Sequence, residues 1–104
     1  MPQFDVYPNP VSAARRAYPL VINLQSDLMA DGALAVVAPL ASRHLLPGAV
    51  GRLTPAVHVN DQEYLVMTNS LSSLPVRDLE KRIVNLANHR QRLSAAIDLL
   101  FFGV

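Results

Sequence analysis

The C-terminal part of the chain, residues 79–104, reads LEKRIVNLANHRQRLSAAIDLLFFGV and carries the strongest structural signal in the sequence. Its apolar residues recur at intervals of three and four, which is the spacing of one face of an α-helix. The residues on this face are Leu79, Ile83, Leu86, Leu93, Ile97 and Leu100. We expect an amphipathic helix that begins between Arg77 and Asn88, with Asn85 or Asn88 as its N-cap.

The chain then stops on Phe101-Phe102-Gly103-Val104, which places two aromatic rings next to a terminus. Chain ends are usually polar and poorly ordered, so rings at this position are either buried or used for binding. The sequence alone leaves both alternatives open.

Two segments near the start of the chain have the alternating pattern of half-buried strands. Residues 3–7 predict a short edge strand, which Pro8 and Pro10 would end because proline donates no ladder hydrogen bond. Residues 20–25 predict a second strand, with Leu20, Ile22 and Leu24 on one face.

The middle of the chain predicts further strands. Residues 33–38 form an uninterrupted apolar run, typical of a strand covered on both faces, and residues 71–76 predict a strand limited by proline. The turn signal Asn60-Asp61-Gln62 lies between runs rich in strand formers, so residues 56–68 predict a β-hairpin. We therefore expect one mainly β domain over residues 1–104, an antiparallel sheet of five or more strands closed by one C-terminal helix.

Composition limits the possible functions. A 51% share of hydrophobic residues indicates a compact fold with an interface beyond its own core, while a net charge of +1 does not indicate direct nucleic-acid binding. Without cysteine the chain has neither disulfides nor thiolate ligands, and its N-terminus lacks the features of a signal peptide. No apolar run is long enough to span a membrane, so we expect a cytoplasmic protein whose partners are proteins.

The sequence offers little catalytic chemistry. His44, His58 and His89 do not have the spacing of metal ligands, and Asp61 with Glu63 is more typical of a hairpin turn than of an acid–base pair. No serine lies in a Gly-x-Ser-x-Gly motif, and no glycine-rich phosphate loop is present. We expect no catalytic residue, metal or cofactor, and hence no enzyme.

Several blocks of sequence, in order and spacing, resemble the CcdB toxin family, the toxic halves of type II toxin–antitoxin modules that poison DNA gyrase. The blocks are QFDVY (3–7), LQSDLM (24–29), PLAS (39–42), LL (45–46), PAVHV (55–59), MT (67–68), SLPV (73–76) and AIDLLFFGV (96–104). The resemblance implies an SH3-like β-barrel with an added antiparallel sheet and a C-terminal helix. It also implies a homodimer whose two chain ends lie near the twofold axis.

The resemblance gives the aromatic ending a function. In the family, the C-terminal residues of both protomers insert into the gyrase A subunit and trap the enzyme on cleaved DNA. Matched position by position, the gyrase-binding residues would be Leu28, Met29, Asp98, Phe101, Phe102, Gly103 and Val104. The family pattern has tryptophan where this chain has Phe102 and asparagine where it has Asp98, and Gly103 would allow close backbone approach.

The resemblance also implies an antitoxin with a disordered C-terminal segment, which removes the toxin from gyrase. Arg77, Arg82 and Arg90 could meet acidic residues of that segment, although charged residues at such spacing are ordinarily a solvated face. In the family the toxin–antitoxin complex represses its own promoter, and the antitoxin alone touches DNA. An alternative from another class is a non-toxic interaction module whose ending only seals its own dimer interface.

Overall fold

The computed structural model describes residues 2–27, 32–46, 48 and 51–103. The described part contains seven strands and one α-helix, joined by loops and short 3₁₀ turns. The elements are β1 Asp5–Pro8, β2 Leu20–Asn23, β3 Leu34–Ser42, β4 Ala56–Val59, β5 Gln62–Val66, β6 Ser72–Pro75, β7 Val84–Asn85 and α1 Arg90–Phe102.

The strands form one antiparallel sheet in the order β4-β5-β3-β2-β1-β7. Strand β3 is its centre: along one edge it pairs with β2, and along the other it pairs first with β6 and then with β5. Because one long strand serves two partners on the same side, the sheet bends around it into a nearly closed barrel. The expected fold class, a mainly β barrel with one C-terminal helix, is confirmed.

Pro39 explains how β3 can change partners. Within a strand the N–H and C=O of one residue point to the same side, and the carbonyl of Pro39 accepts a hydrogen bond from the Met67 N–H at 2.9 Å. The missing N–H of Pro39 therefore faces the junction between the end of β5 and the start of β6. A proline is tolerated here because no ladder bond is lost.

The β4–β5 hairpin confirms the predicted turn. Val59 lies opposite Gln62, so the loop has two residues, Asn60 and Asp61, with φ of +50° and +67°. Positive φ at both positions is typical of a type I′ turn, whose twist matches that of the flanking strands. The second strand ends at Val66, two residues earlier than predicted.

Both faces of the sheet are covered. The larger core, inside the barrel, consists of Phe4, Val6, Leu20, Ile22, Leu24, Ala38, Leu40, Val57, Val59, Tyr64, Val66, Leu86 and Leu93. The smaller core, on the other face, consists of Tyr7, Val21, Ala35, Val37 and Leu79, with Leu74 and Val76 packed against it. Alternate residues of β2 and β3 thus enter different cores, as the period of two requires.

The predicted start of the helix is wrong, because α1 begins only at Arg90. Leu79 and Leu86 are buried as predicted, but they enter the two different cores and so do not share a helical face. The chain between them joins the sheet: the Ile83 N–H donates to the Val6 carbonyl at 2.8 Å. Strand β1 consequently pairs on both sides, with β2 and β7, and is not the edge strand that the sequence predicted.

Neither predicted asparagine caps the helix with its side chain; instead, Asn85 ties β7 to the chain start. Its amide nitrogen donates to the Gln3 carbonyl at 2.9 Å and to the Asp5 carboxylate at 2.8 Å, while its amide oxygen accepts the Ala87 N–H at 2.9 Å. Asp5, which is 1% exposed, also accepts the Tyr7 hydroxyl at 3.3 Å. Burial and the neighbouring Asp5 charge raise the pKa of Tyr7, which keeps this donor protonated.

The helix begins after His89, whose ring bonds to the first turn. The Nη2 of Arg92 lies 2.5 Å from the Nδ1 of His89, and because a guanidinium only donates, Nδ1 must accept and Nε2 must carry the proton. Burial, followed by the charges of Arg92 and His58, lowers the pKa of His89. His89 is therefore neutral at pH 7.

We expect Asn85→Ala to destabilise the protein by about 2 kcal/mol, because the buried Asp5 carboxylate and the Gln3 carbonyl both lose a donor. Urea unfolding measures this change. The exposed Asn88 provides a matched control, and Asn88→Ala should alter stability by less than about 0.5 kcal/mol. Equal effects of the two substitutions would contradict a structural role for Asn85.

We expect His89 to titrate below its ordinary pKa and Arg92→Gln to move its midpoint upward, as followed by NMR. Arg90→Gln is the control, because the Arg90 guanidinium lies over the Phe4 ring at 5.1 Å. Since the unfolded chain takes up this proton first, stability should fall as pH drops through about 6.5. A midpoint at or above the ordinary value in the native protein would contradict the arrangement.

Candidate interaction surface at the helix end

The last turns of α1 carry an exposed group of residues, which we call the terminal aromatic patch: Asp98, Phe101, Phe102 and Gly103. Positions 98, 101 and 102 are three and four residues apart, so these side chains lie on one face. Phe101 is 60% exposed and Phe102 is 75% exposed. Of the two alternatives left open by the sequence, the fold of the single chain therefore excludes burial of these two rings in its own core.

The helix reaches the core only through its first half. Leu93 and Ala96 are buried, and Ile97 packs partly against the larger core. One turn further on, Leu99 and Leu100 are only half-buried, and the rings after them are exposed. Leu93 and Ala96 thus anchor the helix to the core, and Phe101 and Phe102 in its last turn are left exposed.

Gly103 ends the helix through its backbone conformation. Its φ is +73°, in the left-handed region, and its N–H donates to the Leu99 carbonyl at 3.1 Å. A Cβ at this position would meet no atom within 4 Å, so within the chain glycine is needed for its φ and not for space. Close approach to a partner at this residue stays a prediction.

The patch is locally anionic. Asp98 is exposed, and the last turn of α1 contains no basic residue. The carbonyls at a helix C-terminus add a partial negative charge, which a carboxylate nearby does not offset. Aromatic faces beside this charge suit a cationic partner group such as a guanidinium.

The remaining predicted gyrase-binding residues, Leu28, Met29 and Val104, lie outside the described residues. The chain just before Leu28 is anchored, since the Gln3 N–H donates to the Asp27 carboxylate at 2.6 Å. The roles of Leu28, Met29 and Val104 stay predictions.

The three predicted antitoxin-binding arginines do not form one cluster. Arg82 lies 3.5 Å from the Asp5 carboxylate, and Arg90 lies over the Phe4 ring, so both pack near the start of β1. Arg77 is exposed and lines a cleft with Pro8, Asn9, Pro10, Arg15, Asp78, Glu80 and Lys81, at the other end of β1. An acidic segment that meets all three would have to run along this strand.

Sequence analysis missed a second cationic surface, which we call the arginine cleft. It has a volume of about 350 Å³ and is lined by Gly51, Arg52, Pro55, Ala56, Arg92 and Ala95. Its two arginines come from a loop and from the helix, and only the folded chain brings them together. Periodicity and local motifs contain no signal for such a pair.

Among the described residues, no group of three histidine, aspartate or glutamate side chains is placed to hold a metal ion. The described part of the chain also contains no helix with the length and hydropathy needed to cross a bilayer.

Comparison with known proteins agrees with this geometry. The fold is similar to that of the Mycobacterium tuberculosis toxin MazF-mt6, with a TM-score of 0.64 and 23% sequence identity over 79% of this chain and 84% of that chain. At this identity the likeness shows a shared fold alone. A model of the CcdB protein family matches residues 3–103. Because this match spans nearly the whole sequence, the chain belongs to the CcdB family, the toxins of toxin–antitoxin modules.

Proposed function

We propose that this toxin poisons DNA gyrase as a homodimer, by inserting its two terminal aromatic patches into the gyrase A subunit and trapping the complex with cleaved DNA. The observation that supports the proposal most is the exposure of Phe101 and Phe102 in the last turn of α1. The proposal extends family membership to this chain's own residues, since the matched region includes the patch. The toxin itself performs no catalysis in this mechanism.

The chemistry of the patch fits the proposed target. Aromatic anchors often dominate interface energies, and a ring that stacks on an arginine gains electrostatic as well as apolar contact. Asp98 lies one turn before the rings and can accept hydrogen bonds from the same guanidinium. A cationic cavity in gyrase would thus be matched by the anionic, aromatic end of the helix.

The two departures from the family pattern have opposite expected effects on the strength of binding to an arginine of the target. Phe102 provides a weaker cation–π partner than tryptophan and no indole N–H donor. Asp98 donates no hydrogen bond, unlike asparagine, but its full charge strengthens a pairing with arginine. We therefore propose that this toxin relies more on charge, and less on ring stacking, than the family pattern does.

We further propose that the toxin acts in the cytoplasm and is neutralised by an antitoxin with a disordered acidic segment. Arg77 is exposed for this contact, whereas Arg82 and Arg90 would meet the segment beside Asp5 and the Phe4 ring, which they already contact. The complex would repress its own promoter, with the antitoxin alone touching DNA. The small net charge of +1 favours a toxin that does not bind DNA itself, because DNA binding relies on contacts of basic residues with phosphates.

We expect Phe101→Ser and Phe102→Ser each to weaken gyrase poisoning by at least about 30-fold, since loss of an interface anchor costs about 2 kcal/mol or more. Purified chain mixed with gyrase and supercoiled plasmid would be assayed for linearised DNA. Leu45→Ser removes an equally exposed apolar side chain in another part of the chain, and it should leave poisoning unchanged. Full poisoning by the double variant Phe101→Ser/Phe102→Ser would refute the proposal.

The same double variant distinguishes the proposal from a module that merely seals its own dimer. In the proposed function the variant stays dimeric while poisoning is lost, because the rings contact gyrase. If the rings instead close the dimer interface, the variant becomes monomeric. Sedimentation analysis of the wild-type chain and the variant at matched concentrations separates the two outcomes.

We expect Phe102→Trp to strengthen gyrase poisoning by about fivefold, because indole is the better cation–π partner and adds a donor. Titration of the toxin against a fixed amount of gyrase gives the concentration for half-maximal linearisation. Since position 102 is exposed, the larger ring requires no repacking of the core. A weaker variant would show that the cavity is matched to phenylalanine in size.

A further inference from the structure

The arginine cleft and the terminal aromatic patch are formed by different parts of α1. Its residues come from the loop before β4, from β4 itself and from the first two turns of α1. Along α1 the cleft reaches Ala95 and the patch begins at Asp98, one turn further on, while Arg92 and Phe101 are separated by about 14 Å of helix rise. The two surfaces are neighbours on the helix but share no residue.

The loop side of the cleft is held in place. Gly51 and Thr54 exchange backbone hydrogen bonds at 3.1 and 3.4 Å, and the buried Thr68 hydroxyl donates to the Leu53 carbonyl. Arg52 extends from this closed loop. Because residues 51–54 are already closed by backbone hydrogen bonds, a ligand that binds Arg52 would restrict its side chain but not this part of the backbone.

The positive charge of the cleft is not neutralised within the described chain. The ion pairs of the described chain are Arg43–Glu63, Arg77–Asp78 and Arg82–Asp5. None of them includes Arg52 or Arg92. Arg92 donates one N–H to the neutral His89, and its other N–H groups have no hydrogen-bond partner among the described residues. Arg92 lies in the first turn of α1, which contains no acidic residue, and a cation is unfavourable there because the helix N-terminus carries a partial positive charge.

The rest of the lining is apolar. Pro55 and Ala56 from the strand side and Ala95 from the helix contribute no charge and no side-chain hydrogen-bonding group. A volume of about 350 Å³ is at the small end of the range for ligand sites and matches a few side chains. Two guanidinium groups beside an apolar surface suit a ligand with two anionic groups and an apolar group between them.

We propose that the arginine cleft docks an acidic, partly apolar peptide segment, with two carboxylates on Arg52 and Arg92 and an apolar side chain against Pro55, Ala56 and Ala95. A peptide fits better than a nucleic acid, because backbone phosphates would gain nothing from the apolar lining and would require a larger basic surface. The net charge of +1 supports the same choice. The inference does not depend on gyrase poisoning.

The test uses an acetylated, amidated peptide with a Glu-Leu-Asp centre between glycine and serine residues, titrated into the full chain and followed by fluorescence polarisation and NMR. Control peptides replace the two carboxylates by amides or the central leucine by serine. We expect the acidic peptide to bind most tightly, to weaken with added salt and to perturb amides of the 51–56 loop and the start of α1. No binding, or equal binding of all three peptides, would overturn the proposal.

Substitutions then locate the site. We expect Arg52→Gln to weaken the acidic peptide by about fivefold and Arg52→Glu by more, whereas Arg16→Gln, with the same change in net charge at an exposed arginine outside every proposed binding surface, should leave affinity unchanged. A peptide carrying lysine for its glutamate should regain affinity for the Arg52→Glu variant. Equal losses for Arg52→Gln and Arg16→Gln would show non-specific attraction and overturn the assignment.

A DNA oligonucleotide serves as the competing ligand. If it displaces the peptide at lower concentration and perturbs the same amides, nucleic acid is the occupant and the peptide proposal is wrong. The Arg52→Gln variant should linearise plasmid with gyrase as well as the wild-type chain does. Peptide binding without gyrase poisoning would leave this inference intact and refute only the function proposed for the helix end.

Discussion

The position of α1 depends on one buried carboxylate. Asp5 is almost completely inaccessible to solvent, and a buried charge is tolerated only where donors surround it. Asn85 supplies the shortest of these contacts and simultaneously bonds to the Gln3 carbonyl. The segment that contains Asn85 must therefore lie extended against β1. The α-helix can consequently begin only after Asn85.

This constraint determines which side chains of α1 are buried and which are exposed. Because Asn85 also accepts the Ala87 N–H, the chain turns immediately after β7 and α1 begins at Arg90. Phe4 adopts a left-handed φ of +73° next to Asp5, with its ring buried and covered by the Arg90 guanidinium. A helix fixed at this end buries Leu93 and Ala96 in its first two turns and leaves Phe101 and Phe102 exposed in its last turn. The exposed aromatic end follows from how the start is anchored.

Local chemistry explains which elements could be predicted from sequence. Asn60 and Asp61 tolerate positive φ, so the β4–β5 hairpin has a signal within four residues. The aromatic ending was visible as a pattern too, but whether its rings are buried or exposed was left open by the sequence. The helix start was not predictable: Leu79 and Leu86 have helical spacing, yet each is buried for a separate reason in a separate core. The arginine cleft left no local pattern, since its charges meet only through the packing of α1 against the loop before β4.

The exposed apolar side chains also restrict how two copies can associate. A dimer that buried Phe101 and Phe102 between its subunits could not offer the same rings to gyrase. The proposed function therefore requires that other apolar surface holds the copies together, and the described chain has such surface at Leu34 and Val36 on β3, both exposed. These side chains alternate along β3 with Ala35 and Val37 of the smaller core, so they lie on the opposite face of the strand, ahead of the part that enters the larger core. Dimerisation through the sheet and target binding through the helix end would then use separate surfaces. The dimer could therefore bind its target without dissociating.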